Sequence, residues 1–290
     1  MSEFLRRELV SESLYTRFRG FYLHVPCKYA CILDDPVLDQ ILAGTQHHSL
    51  SLRGRMSLVC QYRLESGLKL HVKRWVPRRT HHRLKILGRP SKIDQEASQY
   101  MHFQRAGLPV ADFVFSGVRR VFGRRGIYLS GVLGTRTVEN SEDLRTLRYR
   151  KAAPWINGRN NCTTEVLEKL GNLLGWVHHA GLVHGDFMLK NILWCPGDSL
   201  FPYRIIDLSS GWSMRAGEAN LPSRTRDLVR FVCSLARNGM GLPEVRFFLK
   251  TYSRAWDTTN SVELSEELFR LCVSTKDRKA REAARLLGIN

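Results

Sequence analysis

The chain has 290 residues, 43% of them hydrophobic and 25% charged, which suffices for one large or two medium domains and excludes disorder over most of the length. Lys and Arg number 45 against 27 Asp and Glu, so the net charge is +18 and an acidic substrate, membrane or nucleic acid is expected nearby. No run of eighteen apolar residues occurs, Met1-Ser2-Glu3-Phe4-Leu5-Arg6-Arg7 lacks a signal-peptide core, and the seven cysteines follow no framework spacing, so the expectation is a cytosolic protein in a reducing compartment.

Residues 1–45 alternate short apolar pieces with charges around the turn signal Asp34-Asp35-Pro36 and define no element, so they are set aside as an N-terminal extension. His24, Cys27 and Cys31 have loose metal-ligand spacing, but no fourth ligand follows in sequence. From Ser49 the texture is that of strands. Residues 57–64, the turn Glu65-Ser66-Gly67 and residues 68–75 predict a hairpin with Lys69 and Lys73 in its second strand, ended by Pro77. A basic connector leads through Gly88-Arg89-Pro90 to a helix over 91–106, with Ile93, Ala97, Tyr100 and Met101 on one side, Glu96 within it, and Gly107 and Pro109 closing it. Strands over 113–122 and 127–133 flank the turn Gly123-Arg124-Arg125-Gly126, and Gly134 is expected to open a hinge. Residues 164–180 are the clearest helix, with Val166, Leu167, Leu170, Leu173, Leu174 and Val177 at helical spacing and Gly181 as its stop. Helices over 225–237, 242–256 and 262–287 fill most of the remainder.

Between these segments lie the residues that carry chemistry. His184-Gly185-Asp186-Phe187-Met188-Leu189-Lys190-Asn191 is followed by Ile205-Ile206-Asp207-Leu208, with Asp207 sixteen residues after Asn191 and each polar group standing at the end of a short apolar strand. Phosphoryl transfer from a nucleotide needs a carboxylate to orient and deprotonate the acceptor hydroxyl, and oxygen ligands to hold Mg2+ against the phosphates. Asp186 fits the base, Asn191 one metal ligand and Asp207 the other, in the His-x-Asp-x-x-x-x-Asn spacing of a kinase catalytic loop with Gly185 in place of the usual Arg. Lys73, twenty-three residues before the helical Glu96, fits the cation on the ATP phosphates and its acidic partner, and strand alternation places it on the face of His71 and Trp75. The phosphate loop is sparse: only Gly54, in Leu52-Arg53-Gly54-Arg55-Met56-Ser57 at the entry to this hairpin, stands where a protein kinase carries three glycines. Asp227 opens a later helix and reads either as a plain helix-start acid or as a buried brace for the catalytic-loop backbone. The element order is that of an α+β, bilobal, protein-kinase-like fold, with a small β-rich lobe and one helix at 46–134 and a larger helical lobe at 135–290.

The stretches 181–193 and 205–208, together with Gln95-Glu96-Ala97, His102-Phe103-Gln104-Arg105-Ala106-Gly107-Leu108-Pro109, residues 226–231 and residues 245–252, resemble the lipopolysaccharide core kinases of the Kdo/WaaP family. The resemblance implies an ATP- and Mg2+-dependent kinase acting on a Kdo or heptose hydroxyl of the inner core, peripheral at the cytoplasmic face of the inner membrane. It carries the base role to Asp186, metal binding to Asn191 and Asp207, and phosphate binding to Lys73 with Glu96. His184-Gly185-Asp186 is also found in aminoglycoside-type phosphotransferases and small atypical protein kinases, so the loop alone leaves open a protein or small-molecule acceptor. A non-catalytic kinase-like scaffold is disfavoured by the full residue set, and no nucleic-acid motif accompanies the basic residues. The charge fits an acceptor in an anionic leaflet, with Arg74, Arg78, Arg79, His81, His82, Arg83 and Lys85 as one candidate patch and Arg119, Arg120, Arg124 and Arg125 as another. Oligomeric state is not legible in the sequence.

Overall fold

Pairing of the early strands organises the first part of the chain, as seen in a computed structural model that describes residues 8–10, 13–47, 57–77, 87–157, 160–197, 201–213, 221–256, 261–274 and 278–289. The chain divides into two units, one made of Met1–Met101 and Ala111–Val138, the other of His102–Val110 and Glu139–Asn290.

The first unit is built on strands β1 (Glu8–Val10), β2 (Ser13–Phe18) and β3 (Phe21–Pro26), helices α1 (Cys27–Ala30) and α2 (Asp35–His47), and strands β4 (Ser57–Arg63) and β5 (Lys69–Trp75). Helix α3 (Lys92–Arg105) begins in it, and β6 (Phe113–Val121) and β7 (Ile127–Arg136) complete it. The sheet order is β1-β2-β3-β6-β7-β5-β4, with every neighbouring pair antiparallel. Residues of the expected N-terminal extension thus supply three strands and two helices. The local signal for them is the two-residue turn Arg19-Gly20, with φ of 45° and 78°, the left-handed pair that suits a twisted hairpin.

The alternation in β5 decides which face carries chemistry. Leu70 and Val72 join Leu38, Ile41 and Leu42 of α2 in one buried cluster, each such side chain contributing about 1.5–3 kcal/mol of burial. His71, Lys73 and Trp75 alternate with them. Helix α3 starts in a capping box: the Asp94 N–H donates to Ser91 Oγ (3.2 Å) and the Ser91 N–H to Asp94 Oδ2 (2.8 Å). Its Ile93 approaches β7 at Gly131, where an added Cβ would lie 2.8 Å from Ile93 Cγ1 and 2.4 Å from the Tyr128 hydroxyl. Gly134 does not open a hinge. It remains in the ladder opposite Val72 and Phe115, and β7 runs on to Arg136; the Phe115 ring occupies the space of the missing Cβ, which explains a glycine inside a strand.

The second unit holds β8 (Glu142–Asp143), α4 (Leu144–Tyr149), β9 (Ile156–Asn157), β10 (Asn160–Asn161), α5 (Thr163–His179), β11 (Leu182–Val183), β12 (Ile192–Trp194), β13 (Tyr203–Ile205) and β14 (Trp212–Ser213). Helices α6 (Leu221–Arg237), α7 (Leu242–Trp256), α8 (Ser261–Ser274) and α9 (Arg278–Leu286) follow. The apolar stripe expected on α5 is buried along its length, from Val166 to Val177. Gly171 and Gly175 let α7 close against it: an added Cβ would stand 2.9 Å from Thr251 Cβ and 2.5 Å from Ala255 Cβ. Gly181 ends α5 with φ of 72°, as a C-terminal stop requires. Over the expected helix 262–287 the structure has α8 and α9, and residues 275–277 between them lie outside the described residues. Among the described residues, no helix is long and apolar enough to cross a membrane.

Candidate active site

Two short antiparallel pairs frame the loop His184–Asn191 in the second unit. Strand β11 pairs with β14 before it, and β12 pairs with β13 after it. Ile192 lies opposite Ile205, and the Ile206 N–H donates to the Asn191 carbonyl at 3.0 Å, so Asn191 and Asp207 stand at the same end of the β12–β13 ladder. Sequence spacing had placed both at the ends of apolar strands; antiparallel pairing makes them neighbours.

The loop backbone is held from below by Asp227 of α6. One carboxylate oxygen accepts the His184 N–H at 2.8 Å and the other the Gly185 N–H at 2.7 Å. Asp227 is fully buried, and burial alone would push its pKa up. The hydrogen bonds from His178 and the loop, with the nearby imidazoles, outweigh that and hold it below the ordinary carboxylate value. His178 lies 3.3 Å from Asp227 through Nε2 and 2.8 Å from the Tyr252 hydroxyl through Nδ1. Complete burial lowers the His178 pKa despite Asp227, so the neutral ring donates from Nε2 and accepts from Tyr252. Of the two readings of Asp227, the structure selects the brace.

His184 is itself buried, with Nε2 3.1 Å from the Ile206 carbonyl and Nδ1 accepting the Asp186 N–H at 3.2 Å. Those partners require the Nε2–H tautomer. Gly185 has φ of 78°, and an added Cβ would fall 1.9 Å from the Ser210 carbonyl oxygen. That contact is why an Arg cannot stand here without moving the chain.

Asp186 emerges from this frame with a side chain 19% exposed. Asn191 Nδ2 donates to its carbonyl (2.8 Å) and to Oδ2 (3.2 Å), Arg230 of α6 donates to Oδ1 at 2.5 Å, and Lys190 Nζ lies 3.4 Å from Oδ2. With its amide nitrogen on Asp186, buried Asn191 has its Oδ1 to offer a cation. Asp207 takes the left-handed conformation (φ 59°, ψ 63°) and accepts the Ser209 hydroxyl at 2.8 Å. A strained acid of this kind persists where its surroundings impose it. The two oxygen donors, an amide and a carboxylate, suit a hard divalent cation such as Mg2+.

Residues 46–252 match the family described as Lipopolysaccharide kinase (Kdo/WaaP), more than two thirds of the 290-residue chain. The chain belongs to that family. It is therefore a kinase, a phosphotransferase of the lipopolysaccharide kinase family. A solved structure described as WaaP in complex with acyl carrier protein is similar over 88% of this chain and 98% of its own, at 19% identity and a TM-score of 0.59, and shows the same fold. No curated protein sequence matches.

In the first unit of this lipopolysaccharide kinase, Lys73 Nζ donates to both oxygens of Glu96, at 2.9 and 3.1 Å, joining β5 to α3. Glu96 is 2% exposed and Lys73 21%. Lys69, the other lysine of β5, pairs in register with Arg63 at the opposite end of the strand. Gly54 and the cluster from Arg78 to Lys85 lie outside the described residues. The hairpin arginines are not one solvated face: Arg119, Arg124 and Arg125 are exposed, while Arg120 is buried and donates to the Gly126 and Arg89 carbonyls at 3.0 and 2.8 Å. Sequence reasoning missed Arg230, His178 and Tyr252. The available signal for Arg230 was its place three residues after Asp227, on the same helical face.

Proposed function

We propose that this kinase transfers the γ-phosphoryl group of ATP to a hydroxyl of Kdo or heptose in the lipopolysaccharide inner core, at the cytoplasmic face of the inner membrane. The observation that carries the reading is Asp186: a carboxylate positioned by Asn191, Lys190 and Arg230 on a braced loop, and still open enough to meet an acceptor. Asp186 takes the acceptor proton on a carboxylate oxygen as the acceptor oxygen bonds to the γ-phosphorus and the bond to the departing ADP oxygen breaks. Lys73, kept in place by Glu96, binds the nucleotide phosphates. Asn191 and Asp207 hold Mg2+, which when bound neutralises the charge that develops on the phosphoryl oxygens. A +18 chain is drawn to an anionic leaflet and to an acceptor bearing carboxylates and phosphates.

Asp186→Ala and Asp207→Ala are each expected to abolish ATP-dependent phosphorylation of purified core glycolipid while the thermal unfolding midpoint is kept. Full activity in either variant removes the corresponding role. Mass spectrometry of core oligosaccharide from a deletion strain tests the acceptor: one phosphate fewer is expected, and an unchanged count refers the activity to a different acceptor.

A further inference from the structure

A cavity of about 350 Å3 opens in the first unit, within the size range of small-molecule sites. It lies away from the Lys73–Glu96 pair. Helix α3 turns Asp94, Ala97 and Met101 toward the cavity, whereas Glu96 sits roughly 200° around the helix from Asp94 at 100° per residue. The floor is apolar: buried Leu23 of β3, Val118 of β6 and Ala97 line it. Tyr15 and His24 form one wall, stacked with ring centroids 4.6 Å apart and planes 7° apart.

The mouth is cationic. Arg89, Arg124 and Arg125 line the cavity and are exposed, and the Arg124 guanidinium sits 5.5 Å from the Tyr15 ring centroid. The single acid among the lining residues, Asp94, is already engaged, accepting the Ser91 N–H at 2.8 Å and lying 3.6 Å from Arg120. Arg120 in turn is tied to two backbone carbonyls, so the inner charges are spent within the wall. The three outer guanidiniums are left facing solvent over an apolar floor. Planar guanidinium forks match phosphate and carboxylate oxygens, and several together select an anion.

We propose that this cavity binds an anionic amphiphile, its phosphate or carboxylate head on Arg89, Arg124 and Arg125 and its apolar portion on Leu23, Ala97 and Val118. The site is separate from phosphoryl transfer and does not depend on the assignment of the acceptor.

Isothermal titration of the full chain with n-octyl phosphate, octyl glucoside and inorganic phosphate tests it. Octyl phosphate is expected to bind saturably and at least about tenfold more tightly than either of the others, because head and tail each contribute. Arg124→Glu combined with Arg125→Glu weakens it by about tenfold or more, whereas Arg119→Glu, an exposed arginine outside the cavity, leaves it unchanged. Lys73→Met also leaves it unchanged. Equal binding of octyl glucoside, equal binding of inorganic phosphate, equal weakening by Arg119→Glu, or loss in Lys73→Met each overturns the proposal. Should the double variant lower the unfolding midpoint, Arg89→Ala replaces it, with the same expectation and the same refutation.

Discussion

The two polar centres of this kinase are built differently. Lys73 and Glu96 form an ion pair between a strand and a helix. The loop from His184 to Asn191 rests on a buried network in which Asp227 alone satisfies two backbone N–H groups and one imidazole, and Ser234 Oγ accepts a third backbone N–H, that of Leu189. Phe187, Phe231 and Phe248 pack beneath it with centroids 5.1 and 4.5 Å apart. A geometry supported by many mutually dependent bonds is preorganised, and the loop is such a fixed part of the fold.

The largest effect belongs to Asp227→Ala, which strands two buried N–H groups and His178 and is expected to cost about 3–5 kcal/mol in denaturant unfolding, together with activity. Gly185→Ala should fall in the same rank, since its Cβ would sit 1.9 Å from the Ser210 oxygen. Lys73→Met comes next: it leaves the 2%-exposed Glu96 without its lysine and should cost about 1–3 kcal/mol. Adding Glu96→Leu should restore the stability but not the activity. A Lys73→Met cost as large as that of Asp227→Ala would end the distinction between the two centres.

Arg230→Ala is expected to lower kcat about tenfold, or 1.4 kcal/mol in activation free energy, with the unfolding midpoint little changed, because its guanidinium orients Asp186 at a partly exposed site. Unchanged kcat would reduce Arg230 to an ordinary surface ion pair. The smallest effect is in pH dependence. The folded pKa of His178 lies below its ordinary 6.5, so the unfolded chain binds the proton first and stability falls as pH drops through that value. Asp227, lowered from 3.8, stabilises above that value and ceases to as pH falls through its folded pKa. Unfolding midpoints should therefore decline in two acid steps, and His178→Gln should remove the first; a single step at carboxylate pH in both proteins would refute the role of His178.

The legibility of the chain followed the range of the interactions involved. The helix over Thr163–His179, the hairpins and the His184–Asn191 spacing were readable because each depends on residues within one or two turns or strands of one another. The first strands were not, because β3 finds its second partner in β6, with Phe21 opposite Arg119. Gly134 was misread for a related reason: a glycine at a strand end signals a connector, and only the Phe115 ring packed over it reveals a close approach.

By itself, the sequence determined a candidate residue set for phosphotransfer and the order of β-rich and helical parts, since spacing and periodicity are local properties. Only the tertiary structure decided that Asp227 is a brace rather than a helix-start acid, that Arg230 bears on Asp186, and that Arg120 is spent inside while Arg124 and Arg125 face a cavity. Those roles depend on what lies across a contact from each charge, and for Asp227 and Arg230 that partner is more than forty residues away in sequence.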